Sequence, residues 1–248
     1  MSPDNPHPFN HEMYFYGDDV GTSDRYSIDY HGLAHSHLDA LCHFSHHGKM
    51  YNGFSLEEIS VDGCRKDSVH ALSDGVFTRG VLIDIAYLSG ASSLEAGTAI
   101  MSSDLDAWEK RTKVKIQPGD AVLIRTGRWL RRDEGKSNDA AGAAGAAGKV
   151  AGLHASAIKW LRDRDISIVG SDWPVENEWP TAAEGLPPGG PVHTLLLVAM
   201  GTPILDNLDL EQLRTEAERQ GRWDFLFTLA PLRVQGGTGS PVNPIAVF

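Results

Sequence analysis

The chain has 248 residues, 41% of them hydrophobic, enough to bury the core of one large domain. Its 22 basic residues against 33 acidic ones leave a formal net charge of −11, which counts against nucleic-acid binding and points to a small-molecule substrate. No apolar run approaches the ~18–20 residues that cross a bilayer, and the opening MSPDNPHPFN lacks the basic and apolar regions of a secretory signal, so the expectation is a cytoplasmic protein with no membrane partner.

Residues 1–29 mix Asn, Pro, Asp, Gly and aromatics without a sustained period, which predicts an irregular N-terminal segment leading to a strand near Tyr26 to Tyr30. The next stretch, HGLAHSHLDALCHFSHHGKMYNG from His31 to Gly53, places six of the eleven histidines within seventeen residues. If His35 to Asp39 is extended, His35, His37 and Asp39 project from one face. Imidazole nitrogen and carboxylate oxygen hold zinc or manganese while leaving coordination positions for water. His43 lies four residues beyond Asp39, where a turn would bring it over the ion as a proton carrier. A lone histidine is more often a hydrogen-bonded core residue, and His46 and His47, beside Gly48, read as exposed loop residues. Cys42 and Cys64 form no CxxC or zinc-finger spacing, which argues against a disulfide scaffold and makes Cys42 a small buried residue.

Further on, RGVLIDIAYL (Arg79 to Leu88) reads as a buried strand, and SSDLDAWEKRTK as a helix with Leu105 and Trp108 on its inner face. Pro118 and Gly119 turn the chain into a strand from Ala121 to Thr126, and the run Arg125 to Arg132 reads as that strand passing into a solvated turn. Ser137 to Gly152 is a flexible Ala/Gly loop, because little in it can pack. A helix is expected over His154 to Arg164, and a strand over Ile166 to Asp172. Asp172 either orients a ligand or another histidine, or simply ends the strand in a turn. PTAAEGLPPGGP is a loop and VHTLLLVAMG a buried helix stopped by Gly201. PILDNLDLEQL passes from strand to helix, and FLFTLAPLRV supplies a last strand. GGTGSP (Gly236 to Pro241) lacks the Lys-Ser or Lys-Thr of a nucleotide loop and reads as tight turning near the site. The chain has no GxSxG nucleophile elbow. Alternating strands and helices predict a single mixed α/β domain over 1–248.

HSHLDALCHF resembles the HxDxxxH core of the metal-dependent cyclase family, which includes bacterial kynurenine formamidases and isatin hydrolases. GDAVLIRTG (Gly119 to Gly127), GLHASAIKWLRDRDISIVGSD (Gly152 to Asp172), VHTLLLVAMGTPILDNLDL (Val192 to Leu210) and APLRVQGGTGSPVNPIAVF at the C-terminus resemble the same family, so the likeness spans about Tyr30 to Phe248. The resemblance implies the family's swivelling β/β/α type of domain, a divalent metal, and a homodimer or tetramer. It also implies that His37 and Asp39 are ligands and His43 the catalytic acid or base. His193 and Asp206 are ligands on the same ground, Asp206 standing where the family commonly has a glutamate. Read alone, His193 could cap the helix it opens, and Asp206 the helix starting near Leu208.

Two departures stand out. Leu33 occupies a position where many members carry another histidine, so either His31 or His35 substitutes through a local change in loop length, or one ion is bound instead of two. The family's longer front, with an early strand, is not visible in MSPDNPHPFNHEMYFYGDD, as in a chain truncated at its start.

The implied activity is hydrolysis of an amide bond in a small aromatic substrate by metal-activated water and a histidine acid/base. N-formylkynurenine is the family's best-known substrate, and isatin-like lactams fit the motif equally. A metal-dependent lyase or cyclase is the rival chemistry, and a metal- or ligand-binding protein without turnover the non-enzymatic one.

Overall fold

Val81 to Ile83, Ala121 to Ile124 and Ile168 to Val169 are buried apolar runs, as expected of strands covered on both faces. They form the centre of an eight-stranded sheet in the computed structural model, which describes residues 9–17, 21–133, 150–177 and 190–248. In chain order the strands are β1 (Asn10–Phe15), β2 (Thr22–Ser27), β3 (His37–Asp39), β4 (Ile59–Ser60), β5 (Gly63–Cys64), β6 (Val76–Asp84), β7 (Ala99–Ile100), β8 (Ala121–Arg125), β9 (Gly152–Leu153), β10 (Ile168–Ser171), β11 (Ile204–Asp206), β12 (Asp224–Leu229), β13 (Gly239–Pro241) and β14 (Ile245–Val247). The helices are α1 (Ile85–Ser89), α2 (Ser102–Thr112), α3 (Arg128–Asp133), α4 (Ile158–Arg162), α5 (Pro191–His193), which continues as a π-helical stretch over Thr194–Met200, and α6 (Glu211–Gln220).

The large sheet runs β13-β3-β11-β10-β8-β6-β12-β14. Its four inner strands, β11, β10, β8 and β6, are parallel, and antiparallel strands flank them on both sides. On α2, Leu105 and Trp108 are fully buried, and the Trp108 ring meets Trp223 edge to face at 6.3 Å between centroids. The result is the single mixed α/β architecture expected from the alternation of elements.

Several expectations need correction. The described part of the N-terminal segment is not irregular: β1 and β2 pair antiparallel, in register from Asn10 opposite Ser27 to Phe15 opposite Thr22, while residues 1–8 and 18–20 lie outside the described residues. Tyr14, Phe15, Thr22 and Tyr26 have the strand preference that supports such pairing, and the strand placed near Tyr26 to Tyr30 ends at Ser27. The run from Arg79 to Leu88 is not all strand, because Asp84 accepts the Tyr87 N–H at 2.8 Å and starts α1, which Gly90 closes in a left-handed conformation.

The Arg125 to Arg132 run is no solvated turn either. Arg125 is buried against Asp84 (3.1 Å) and Glu211 (2.7 Å), and the equally buried Arg128 opens α3. FLFTLAPLRV is not the last strand, since β13 and β14 follow it. Cys42 and Cys64 are joined in a disulfide with a Cα separation of 6.5 Å. No motif spacing announces this bond. The turn at Leu41–His43 is brought against β5 by the Cys42 N–H donating to the Asp67 carbonyl and the Cys64 N–H to Gly236.

Of the expected Ala/Gly loop, 137–149 lie outside the described residues, whereas Val150 and Ala151 are buried and Gly152 enters β9. The Pro- and Gly-rich loop before α5 also lies outside them over 180–189.

Candidate metal centre

β3 is three residues long and is held on both sides, by β11 and by β13. Its alternation sends Leu38, fully buried, into the core and turns His37 and Asp39 to the opposite face. Asp206 on β11 lies directly opposite His37, so the pleat presents its carboxylate on the same face. Gly239 on β13 pairs with Asp39; a Cβ there would stand 2.3 Å from the Leu38 carbonyl and 3.1 Å from the His31 ring. The glycine-rich GGTGSP segment therefore closes one wall of the site, as its turn-like composition suggests.

Four imidazoles converge on the Asp39 carboxylate. His31 Nδ1 stands 3.0 Å and His37 Nε2 3.5 Å from Oδ1, while His193 Nε2 stands 3.4 Å and His43 Nε2 3.9 Å from Oδ2. His193 Nε2 is also 3.3 Å from Asp206 Oδ2, and Asp206 Oδ1 accepts the Val175 N–H at 3.2 Å. His37, Asp39, His193 and Asp206 are all buried, and the His43 ring lies parallel to that of His31 at 4.1 Å. His31, two residues before Leu33, is thus brought to the same carboxylate. His35 contributes its carbonyl, which accepts from His37 Nδ1 at 2.8 Å and so leaves His37 Nε2 to face Asp39.

The sequence did not single out Glu176. This fully buried carboxylate accepts the His193 backbone N–H at 2.8 Å and a short hydrogen bond from His193 Nδ1, aiming Nε2 at Asp39 and Asp206. Asp172, the carboxylate considered for such an orienting role, instead binds the turn after β8: it accepts the N–H groups of Thr126, Gly127 and Arg128 and the Thr126 hydroxyl. The signal for Glu176 was an acidic residue shortly past a strand end, and Asp172 offered the same signal four positions earlier. Neither helix-capping alternative describes the site: His193 and Asp206 both turn inward to Asp39.

Burial opposes ionisation of Asp39, but the approach of the His193 and His31 rings and the charges of His43 and His37 hold its carboxyl well below the usual range. Burial likewise opposes charge on His193, yet Glu176, Asp206 and Asp39 raise it well above a free imidazole. His43 is pushed down to about 4, chiefly by burial, with Asp39 pulling the other way.

Asp39 Oδ1 and His31 Nδ1 are buried 3.0 Å apart and neither makes a well-aligned hydrogen bond among the described residues. An ionised carboxylate oxygen left so is costly, and a cation between the two would satisfy both. The residues fit one. The donor atoms of His31, Asp39 and His43, and those of His37, Asp39 and Asp206, lie within 4.8 Å of one another, two triads sharing Asp39. Nitrogen and oxygen donors without thiolate suit a divalent cation in an open site.

The Cyclase family model, described as "Putative cyclase", matches residues 4–176. A comparison with curated proteins finds no significant match. Among solved structures, one described as a novel cyclase is 26% identical with a TM-score of 0.85, covering 99% of this chain and 82% of its own. Isatin hydrolase A from Ralstonia solanacearum is 24% identical with a TM-score of 0.68, covering 97% and 82%. Isatin hydrolase A from Labrenzia aggregata, bound to benzyl benzoate, is 21% identical with a TM-score of 0.67, covering 96% and 82%. The last two likenesses are of fold. No helix among the described residues is long and apolar enough to cross a membrane.

Proposed function

Since the chain belongs to the Cyclase family, we propose that it is a metal-dependent hydrolase opening an amide bond in a small aromatic molecule. The observation that carries this reading is the buried Asp39 carboxylate, faced by four imidazole nitrogens at 3.0–3.9 Å. A divalent cation, zinc or manganese by donor preference, supplies Lewis acidity when bound, polarising a carbonyl and acidifying water. His37, Asp39, His193 and Asp206 would hold it, with His31 in the place that Leu33 leaves.

Glu176 binds Nδ1 of His193 and so turns Nε2 to the centre, where a cation would take the place of the Nε2 proton. His43, with its pKa near 4, is neutral at pH 7. Its ring can take the proton of an attacking water and return it to the departing nitrogen, a role worth typically 10²–10⁴-fold in rate. No serine or cysteine nucleophile is required.

The likeness to two isatin hydrolases favours a cyclic aromatic amide of the isatin type over an open aryl formamide such as N-formylkynurenine. The test is turnover of isatin and of an aryl formamide by zinc- or manganese-loaded protein in oxygen-18 water. One labelled oxygen in the product carboxylate is expected. Turnover without label would make the protein a lyase or cyclase, and bound metal without turnover of either would make it a binding protein.

A further inference from the structure

The segment from Asp29 to Ser36 has no regular secondary structure, yet it delivers His31 to the site. Two buried side chains from elsewhere in the fold hold its backbone. Asn207 Nδ2 donates to the Gly32 carbonyl at 2.5 Å and to the His35 carbonyl at 3.3 Å. Arg128 Nη2 donates to the Leu33 carbonyl at 2.7 Å, and Arg128 Nη1 joins the two residues through Asn207 Oδ1 at 2.7 Å. Ser36 closes the ring by donating its hydroxyl to the Asn207 carbonyl at 2.8 Å.

Both clamp residues are themselves fixed. The Arg128 guanidinium lies over the Trp173 ring at 3.8 Å and the Trp129 ring at 4.4 Å, and Asp172 accepts its backbone N–H. Asn207 follows Asp206 directly and holds a left-handed φ of 57°, which turns its amide away from the metal-facing side and towards the loop. The position that carries Leu33 is thus used through its carbonyl, and His31, two residues earlier, is set 3.0 Å from Asp39.

We propose that Arg128 and Asn207 are positioning residues, whose hydrogen bonds to the carbonyls of Gly32, Leu33 and His35 set the loop so that His31 completes the cation site. This rests on the reading of the site as a metal centre. A fixed loop keeps the imidazole in place before the ion arrives, so the ordering cost is not charged against binding.

The experiment compares Asn207→Gly, which accepts the left-handed backbone, and Asn207→Asp, which keeps the acceptor for Arg128 but removes the donor to the loop, with His31→Ala and the corresponding double variants. Zinc affinity is read by competition with a chromogenic chelator. Supporting the clamp, each Asn207 variant weakens zinc binding by about tenfold or more, and adding it to His31→Ala weakens binding no further than His31→Ala alone. Unchanged affinity, or losses that simply multiply in the double variants, overturns it.

A second readout needs no metal: carbethoxylation of His31 in the metal-free protein, followed by peptide mass analysis, should quicken several-fold in the Asn207 variants while His154 labels at its former rate. If the unaltered protein binds no divalent cation the functional reading fails, and His31 labelling still decides the clamp, unchanged labelling overturning it.

Discussion

Glu176 holds His193 at two points, through the backbone N–H and through Nδ1 of the ring, so that one carboxylate sets both where the residue sits and which way its ring faces. Replacing it with alanine should leave His193 in the chain but free its ring to turn and to change tautomer. Metal affinity is expected to fall about 10–100-fold, the usual cost of removing such a partner. Glu176→Gln, which keeps an acceptor, should fall less. Equal affinities for all three proteins in a chelator competition would show that the contact has no bearing on the ion.

Asp39 and His43 separate by role. Asp39→Ala removes the carboxylate shared by both donor triads, and the purified variant should contain no stoichiometric metal. His43→Ala should keep the metal and lose roughly 10²–10⁴-fold in kcat. Elemental analysis alongside turnover tests the pair; full turnover by both variants would place the chemistry elsewhere.

Gly239 is constrained by space, not by its backbone angle. A methyl group there meets the Leu38 carbonyl at 2.3 Å, and that carbonyl belongs to the strand carrying His37 and Asp39. Gly239→Ala should cost about 1–3 kcal/mol of stability, as overpacking does, and should weaken metal binding as well, because relief of the clash moves β3. A melting temperature and metal affinity equal to those of the parent would refute this.

Glu109 should contribute to acid sensitivity. Burial raises its pKa, but Arg164, the Ile116 N–H and Lys115 together bring it from 4.5 to about 2. The unfolded chain therefore binds the proton more readily, so the stability this carboxylate contributes is present above about pH 4.5 and is lost as pH falls towards about 2. The contribution is at most about 3 kcal/mol, lowered by solvent screening of the exposed Lys115. Glu109→Gln should be less stable at pH 7 and show a flatter decline over that window, measured by urea unfolding at a series of pH values; parallel pH profiles would contradict the assignment.

The parts of the molecule that were legible in the sequence are those governed by local period. Val122 to Ile124 read as a strand and are one; the stretch after Pro191 reads as a buried helix stopped at Gly201 and is one. The two-residue spacing of His37 and Asp39 placed both on one face once β3 proved extended. What stayed hidden depends on register and on partners far along the chain. Nothing near Arg128 announces that it reaches the carbonyl of Leu33, 95 positions away, so charge alone made it look solvated. Nor does anything near Asn207 announce that it reaches the carbonyls of Gly32 and His35 in the segment that brings the His31 ring to Asp39. The N-terminal strand pair is hidden because its strands, NHEMYF and TSDRYS, are exposed almost throughout and carry no alternation of apolar and polar residues.

Leu38 sits between His37 and Asp39 and faces the other way, so a slip of β3 by one residue would turn these two polar side chains into the hydrocarbon interior and the leucine out of it. Core and centre thus share one alignment. A cation that binds only the correctly aligned sheet acts as a thermodynamic proofreader, drawing the population towards that form by about 2.7 kcal/mol at a hundredfold excess over its dissociation constant. The melting temperature should therefore climb with metal concentration, linking the supply of the ion to the amount of folded protein.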